Sequence, residues 1–289
     1  MCDEHFLEDL ERYTNRLTRR RFGALSAGAG IAMMLPPVVD AQAVAEHDVE
    51  IETPDGIADA YFVHPAEGAH AAVLVWPDAL GLRPAFREMG KRLAQSGYSV
   101  LTVNPFYRQR RAPIVPEGAS FQDESVRNVV MPLMQSLTPQ THVTDARAFI
   151  GWLDRQDAVD TRRKVGTTGY CMGGPIVMRT AATVPDRVGA AATFHGGGLV
   201  TTGEDSPHLL IPQMKASFLI AIAENDDERE PDAKNVLREA FDAAGLSAEI
   251  EVYEGAAHGW CPPDMPVYNG AQAERAWSRL LALFETGLA

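Results

Sequence analysis

In the hexapeptide Gly169-Tyr170-Cys171-Met172-Gly173-Gly174, a cysteine has glycine two positions to either side. That spacing suits a strand that reverses into a helix within one sharp turn. The turn crowds the backbone and strains its central residue, and the flanking glycines leave room for it. The side chain of Cys171 then projects clear of the sheet, at a helix N-terminus whose partial positive charge favours thiolate over thiol. The next amide, that of Met172, stays available to stabilise an oxyanion. A thiol so placed is a nucleophile for acyl carbon. Two more groups fit that chemistry: Glu224-Asn225-Asp226-Asp227-Glu228 follows the apolar run 218–223, and Glu254-Gly255-Ala256-Ala257-His258-Gly259 follows the run 250–253. A histidine can move protons near neutral pH, and an acid on its other nitrogen fixes its tautomer.

These residues need a scaffold that brings them together. Residues 49–53 and 57–64 alternate with period two around the turn Pro54-Asp55-Gly56, and residues 71–76 form a continuous apolar run, as a strand covered on both faces should. Pro84 can open a helix whose apolar face carries Phe86, Met89, Gly90 and Leu93, with Gly97 as its stop. Strands are then expected at 98–103, 164–168, 188–194, 218–223 and 248–253, and helices at 122–131, 141–154, 171–185, 233–244 and 272–284. Strand–helix alternation over this length predicts an α/β domain: a mainly parallel sheet with helices on both faces. Parallel sheets gather their sites at the C-terminal ends of the strands, where both the acidic group and the histidine fall. The chain order of nucleophile, acid and histidine is that of an α/β-hydrolase fold.

Together with Trp76-Pro77-Asp78-Ala79-Leu80-Gly81-Leu82, the cysteine turn, the Asn225-Asp226-Asp227 segment and Tyr253-Glu254-Gly255-Ala256-Ala257-His258-Gly259-Trp260 resemble the dienelactone hydrolase family over roughly residues 49–286. The resemblance implies Cys171 as nucleophile, His258 as base and Asp226 as the orienting acid, with Asp227 as a competitor. It implies an oxyanion hole from the amides of Ala79 and Met172, and an acid at Asp78 that helps to remove the thiol proton. The family's usual residue there is glutamate, one methylene longer. The implied activity is hydrolysis of a small-molecule lactone or carboxylic ester through a thioester acyl-enzyme. The family archetype carries an arginine shortly after the histidine; here Trp260-Cys261-Pro262-Pro263 stands instead, and Arg108, Arg110 and Arg111 are the other candidates for a carboxylate-binding group. Phe106, Tyr107, Phe121 and Trp260 are candidate pocket walls.

The rest of the chain narrows the setting. Among 289 residues, Lys+Arg 26 against Asp+Glu 39 leaves a formal charge of −13, which disfavours a nucleic-acid backbone as partner. Three cysteines exclude a disulfide scaffold, the histidines lack paired metal-ligand spacing, and no cofactor is expected. Arg19-Arg20-Arg21-Phe22, a mildly apolar stretch at 23–35 and Ala41-Gln42-Ala43 resemble a twin-arginine export signal over residues 1–43. The remaining domain, 44–289, would be exported to the periplasm by that machinery, with no membrane span after processing. A second reading keeps the fold and makes it a thiol-redox protein in which Cys171 and Cys261 pair.

Overall fold

The computed structural model describes residues 12–13 and 28–289. A short helix α1 (Gly28–Ala32) precedes β1 (Val44–Thr53), β2 (Gly56–Pro65), β3 (Ala72–Trp76), α2 (Pro84–Gln95), β4 (Ser99–Val103), α3 (Glu124–Gln135) and α4 (Pro139–Leu153). The second half runs β5 (Val165–Tyr170), α5 (Gly173–Thr183), β6 (Val188–Phe194), a 3₁₀ helix (Pro207–Gln213), β7 (Ser217–Ala223), α6 (Glu224–Arg229), α7 (Ala233–Ala244), β8 (Ala248–Tyr253) and α8 (Gly270–Gly287). Among the described residues, eight strands form one sheet in the order β1-β2-β4-β3-β5-β6-β7-β8. Strand β2 is antiparallel to β1 and β4, and β3 to β8 are mutually parallel. This is the expected mainly parallel α/β-hydrolase-like architecture.

Period-two alternation along each central strand fills both faces. Leu74 and Trp76 of β3, Phe218 and Ile220 of β7 pack on one face with Phe149 of α4, Val177 of α5 and Phe241 of α7. Val73 and Val75, Leu219 and Ala221 pack on the other with Phe86 of α2 and Leu280 and Phe284 of α8. A third apolar cluster lies beside the strand ends, where Ala79, Leu80, Phe106 and Phe121 meet Val130 of α3, with Met172 and Met265 at its edge.

Several boundaries differ from the sequence expectation. Helix α4 starts at Pro139 because Thr138 and Thr141 form a capping box, an entrance that hydrophobic periodicity does not reveal. The acidic segment after β7 is the short helix α6, whose first turn holds Glu224, Asp226 and Asp227, where negative charge suits the helix dipole. Strand β1 begins at Val44, five residues before the expected start, because its whole length pairs with β2. Just upstream, the Ala43 carbonyl accepts from the Ala66 amide at 2.8 Å and the Gln42 amide donates to the Gln95 carbonyl at 3.0 Å. The arginine run 19–21 and Cys2 lie outside the described residues. Among the described residues, no helix is long and apolar enough to cross a membrane.

Candidate active site

The turn between β5 and α5 has the form that the glycine spacing predicts. Cys171 has φ +51, a left-handed conformation that non-glycine residues rarely adopt and that recurs where strain serves a site. Its amide donates to the Phe194 carbonyl at 3.0 Å, and its carbonyl accepts from the Gly174 amide at 3.0 Å, which fixes the turn from both sides. A Cβ on Gly169 would stand 2.3 Å from the Gly173 carbonyl oxygen, and one on Gly173 2.4 Å from that of Trp76. Both contacts are with backbone, so a side chain at Gly169 could enter only by moving the start of α5, and one at Gly173 only by moving the end of β3. Gly173→Ala is therefore expected to cost about 2–4 kcal/mol of stability and to remove activity. Gly197→Ala, where a Cβ meets nothing within 4 Å, should stay within about 0.5 kcal/mol of wild type in urea unfolding.

The order β5-β6-β7-β8 sets four strand ends side by side. His258, five residues beyond β8, places Nδ1 2.8 Å from Asp226 Oδ2, and the His258 amide donates to Asn225 Oδ1 at 2.8 Å. Helix α6 thus holds the histidine twice, once by its ring and once by its backbone. Asp227 points elsewhere, with Lys234 Nζ 2.6 Å from each of its oxygens. The structure therefore brings Asp226, and not its neighbour, to the imidazole. His195 follows β6, the strand between β5 and β7, directly after the Phe194 whose carbonyl accepts from the Cys171 amide. Its ring lies edge to face with that of His258 at 5.0 Å and with Trp260 at 5.0 Å. His195 is buried and has φ +42. Burial, and then the neighbouring His258, push its pKa well below the usual histidine value, so it is a neutral wall for the site.

The segment expected to offer the first oxyanion amide is a turn after β3. Asp78 Oδ1 accepts from the Leu80 amide at 2.9 Å, and the Asp78 carbonyl accepts from the Gly81 amide at 2.9 Å. Gly81 adopts φ +74 to close the turn. Both inner amides are thereby engaged, while those of Ala79 and Met172 donate to no other group among the described residues. The Asp78 carboxylate is turned to Arg83, which donates to Oδ1 at 2.6 Å and to Oδ2 at 2.9 Å. The other face of Arg83 meets Asp264, with Nε 2.6 Å from Oδ2 and Nη2 3.0 Å from Oδ1. Burial works against the guanidinium charge, but Asp264 and Asp78 hold its pKa above the ordinary arginine value.

Other candidates are placed differently. Arg108 pairs with Asp145 at 2.7 Å and Asp55 at 2.6 Å, Arg110 donates to the Ile114 carbonyl, and Arg111 meets Glu50 at 2.7 Å on the surface. Each has a partner within the fold, and Arg108 supplies the counter-charge that a carboxylate as buried as Asp145 requires. Trp260 is fully buried and stacks on Tyr253, and Tyr107 is hydrogen-bonded to Asp145. Phe106 and Phe121 belong to the apolar cluster that includes Ala79. Cys171 and Cys261 are not joined to each other; Cys261 is buried against the α2–α8 face, and burial raises its pKa well above the usual thiol value. The sequence reading missed three residues. Arg83 carried a signal, a cation at the N-terminal boundary of α2 where the dipole disfavours it unless carboxylates surround it. Asn225 was visible only as part of an acidic segment, and His195 only as the residue before three glycines.

The family model for the dienelactone hydrolase family matches residues 58–288. A protein of Methylorubrum extorquens named "Putative carboxymethylenebutenolidase" is 26% identical over 275 residues, 91% of this chain and 91% of that protein. A protein of the same name from Synechocystis is 28% identical over 232 residues, 79% of this chain and 91% of that protein. Among solved structures, one titled as a putative dienelactone hydrolase from Klebsiella pneumoniae superposes with a TM-score of 0.73 at 23% identity, covering 85% of this chain and 100% of the other.

Proposed function

We propose that this hydrolase, which belongs to the dienelactone hydrolase family, cleaves lactones and activated carboxylic esters with Cys171 as nucleophile, His258 as base and Asp226 as the acid that orients it. The observation that carries the reading is the left-handed Cys171 turn after β5, on the sheet end that also carries, after β8, an imidazole gripped at Nδ1 by Asp226 at 2.8 Å. His258 takes the Cys171 thiol proton, the thiolate attacks the carbonyl carbon, and the resulting oxyanion is held by the Ala79 and Met172 amides. As the intermediate collapses, the C–O bond to the alcohol breaks and His258 supplies its proton. Water then gives a proton to His258 and its oxygen to the thioester carbon. The acid leaves, and the sulfur departs as thiolate. Because thiolate is a good leaving group, amides are expected to be poor substrates.

The test is a hydrolysis screen of small lactones, aryl esters and matched anilides. Turnover of lactones and aryl esters with none of anilides is expected; anilide cleavage at ester-like rates would refute the reading. The disulfide alternative has less support, since Cys261 lies buried among α2 and α8 side chains. We further propose that residues 1–43 are a twin-arginine-type signal segment, that residues 44–289 form the hydrolase domain, and that export machinery delivers it to the periplasm. That reading is supported by the arginine run and by the small residues at 41 and 43.

A further inference from the structure

Arg83 uses all five of its N–H donors. Nη1 reaches Asp78 Oδ1 and the Gly81 carbonyl (3.3 Å), Nη2 reaches Asp78 Oδ2 and Asp264 Oδ1, and Nε reaches Asp264 Oδ2. Such complete use fixes the guanidinium in one plane. Its stem starts α2, and the guanidinium lies 4.9 Å from the Phe86 ring centroid. The two carboxylates it joins are far apart in sequence and belong to different loops. Asp78 opens the turn that presents the Ala79 amide, and Asp264 lies six residues beyond His258 in the segment leading to α8. On its other side the same segment is tied to α6 through Asn225 and Asp226. One guanidinium therefore links the oxyanion turn to the loop that carries the base.

We infer that Arg83 is a positioning residue of the proposed reaction: by gripping Asp78 and Asp264 together, it fixes the Ala79 amide relative to His258. The inference rests on the acyl-transfer reading above. It also assigns Asp78 a different task from the thiol activation implied by the family's glutamate. Both Asp78 oxygens are taken by Arg83, and Oδ1 also by the Leu80 amide, so the carboxylate shapes the turn and does not draw the proton from sulfur. An oxyanion donor contributes only when it sits where charge develops, and small displacements of such a group are expensive in rate.

The test uses Asp264→Asn, because Asp264 is at the rim, with its side chain 20% exposed, and its neutralisation leaves the Asp78–Arg83 pair in place. With the full chain and an aryl acetate, kcat is expected to fall about tenfold with KM within twofold of wild type, and Asp264→Glu to recover part of the loss. Alkylation of Cys171 by iodoacetamide, followed by mass spectrometry across pH, should keep its wild-type midpoint in Asp264→Asn and in Asp78→Asn, although both lose kcat. Unchanged kcat in Asp264→Asn overturns the inference. So does an alkylation midpoint that shifts in Asp78→Asn, since Asp78 would then act on the sulfur. Trapping of the acyl-enzyme separates the two levels. Wild type without an acetyl adduct on Cys171 defeats the acyl-transfer reading and the inference with it, whereas unchanged kcat in a protein that does form the adduct defeats the inference alone.

Discussion

Replacing Cys171 with alanine is expected to lower aryl-ester turnover at least ~10⁴-fold, with an unchanged urea midpoint. The side chain is only partly buried, and the turn is held by backbone hydrogen bonds from Cys171 to Phe194 and from Gly174 to Cys171, which alanine keeps. The fold should therefore survive while the chemistry does not. Residual hydrolysis would come from the two oxyanion amides acting on water, which is why the loss has a floor. Cys171→Ser tests the identity of the atom. A hydroxyl needs its base throughout, whereas a thiolate can exist before substrate arrives, so serine should retain only a small fraction of the rate. Steady-state and burst kinetics on the three proteins decide it. Full turnover by the serine variant would contradict a thiol-adapted site.

The second large effect is expected from Asp226→Asn, a loss of about 10²–10⁴-fold in kcat/KM. An amide at that position can present N–H to Nδ1 and so turn the imidazole into the tautomer that cannot accept a proton at its other nitrogen. Asp227→Asn is the matched control. Its carboxylate is held by Lys234 toward α7, and the substitution should change kcat/KM by less than about twofold, the range expected of a partly exposed ion pair. If the larger loss falls on Asp227→Asn, the assignment of the acid is reversed.

The sheet and its helices were largely legible in the sequence, because alternation and apolar runs report burial directly. Residues 72–76 form one buried strand as their composition requires, and Gly245 ends α7 in the left-handed conformation that only glycine adopts freely. The cysteine turn was legible for a related reason: Gly169 and Gly173 stand where a Cβ would strike backbone. Local geometry cannot report pairings across the chain. Nothing near Arg83 announces Asp264, 181 residues away, and nothing near Phe194 announces that the next ring will rest on His258. The resemblance favoured Asp226 over Asp227, but the physical reason lies in α6. Adjacent residues on a helix point about 100° apart, so one faces the imidazole and the other faces Lys234.

The junction before β1 bears on how the proposed leader could be removed. Val44 is already paired with Pro65, and the carbonyl just upstream is bonded to the Ala66 amide. A peptidase threads an extended stretch of substrate through its cleft, so the bond after Ala43 is open to it only while this first ribbon is unzipped. Trimming there becomes a race with the closing of the sheet edge: early scission leaves a clean new terminus, and late scission must wait for that edge to peel.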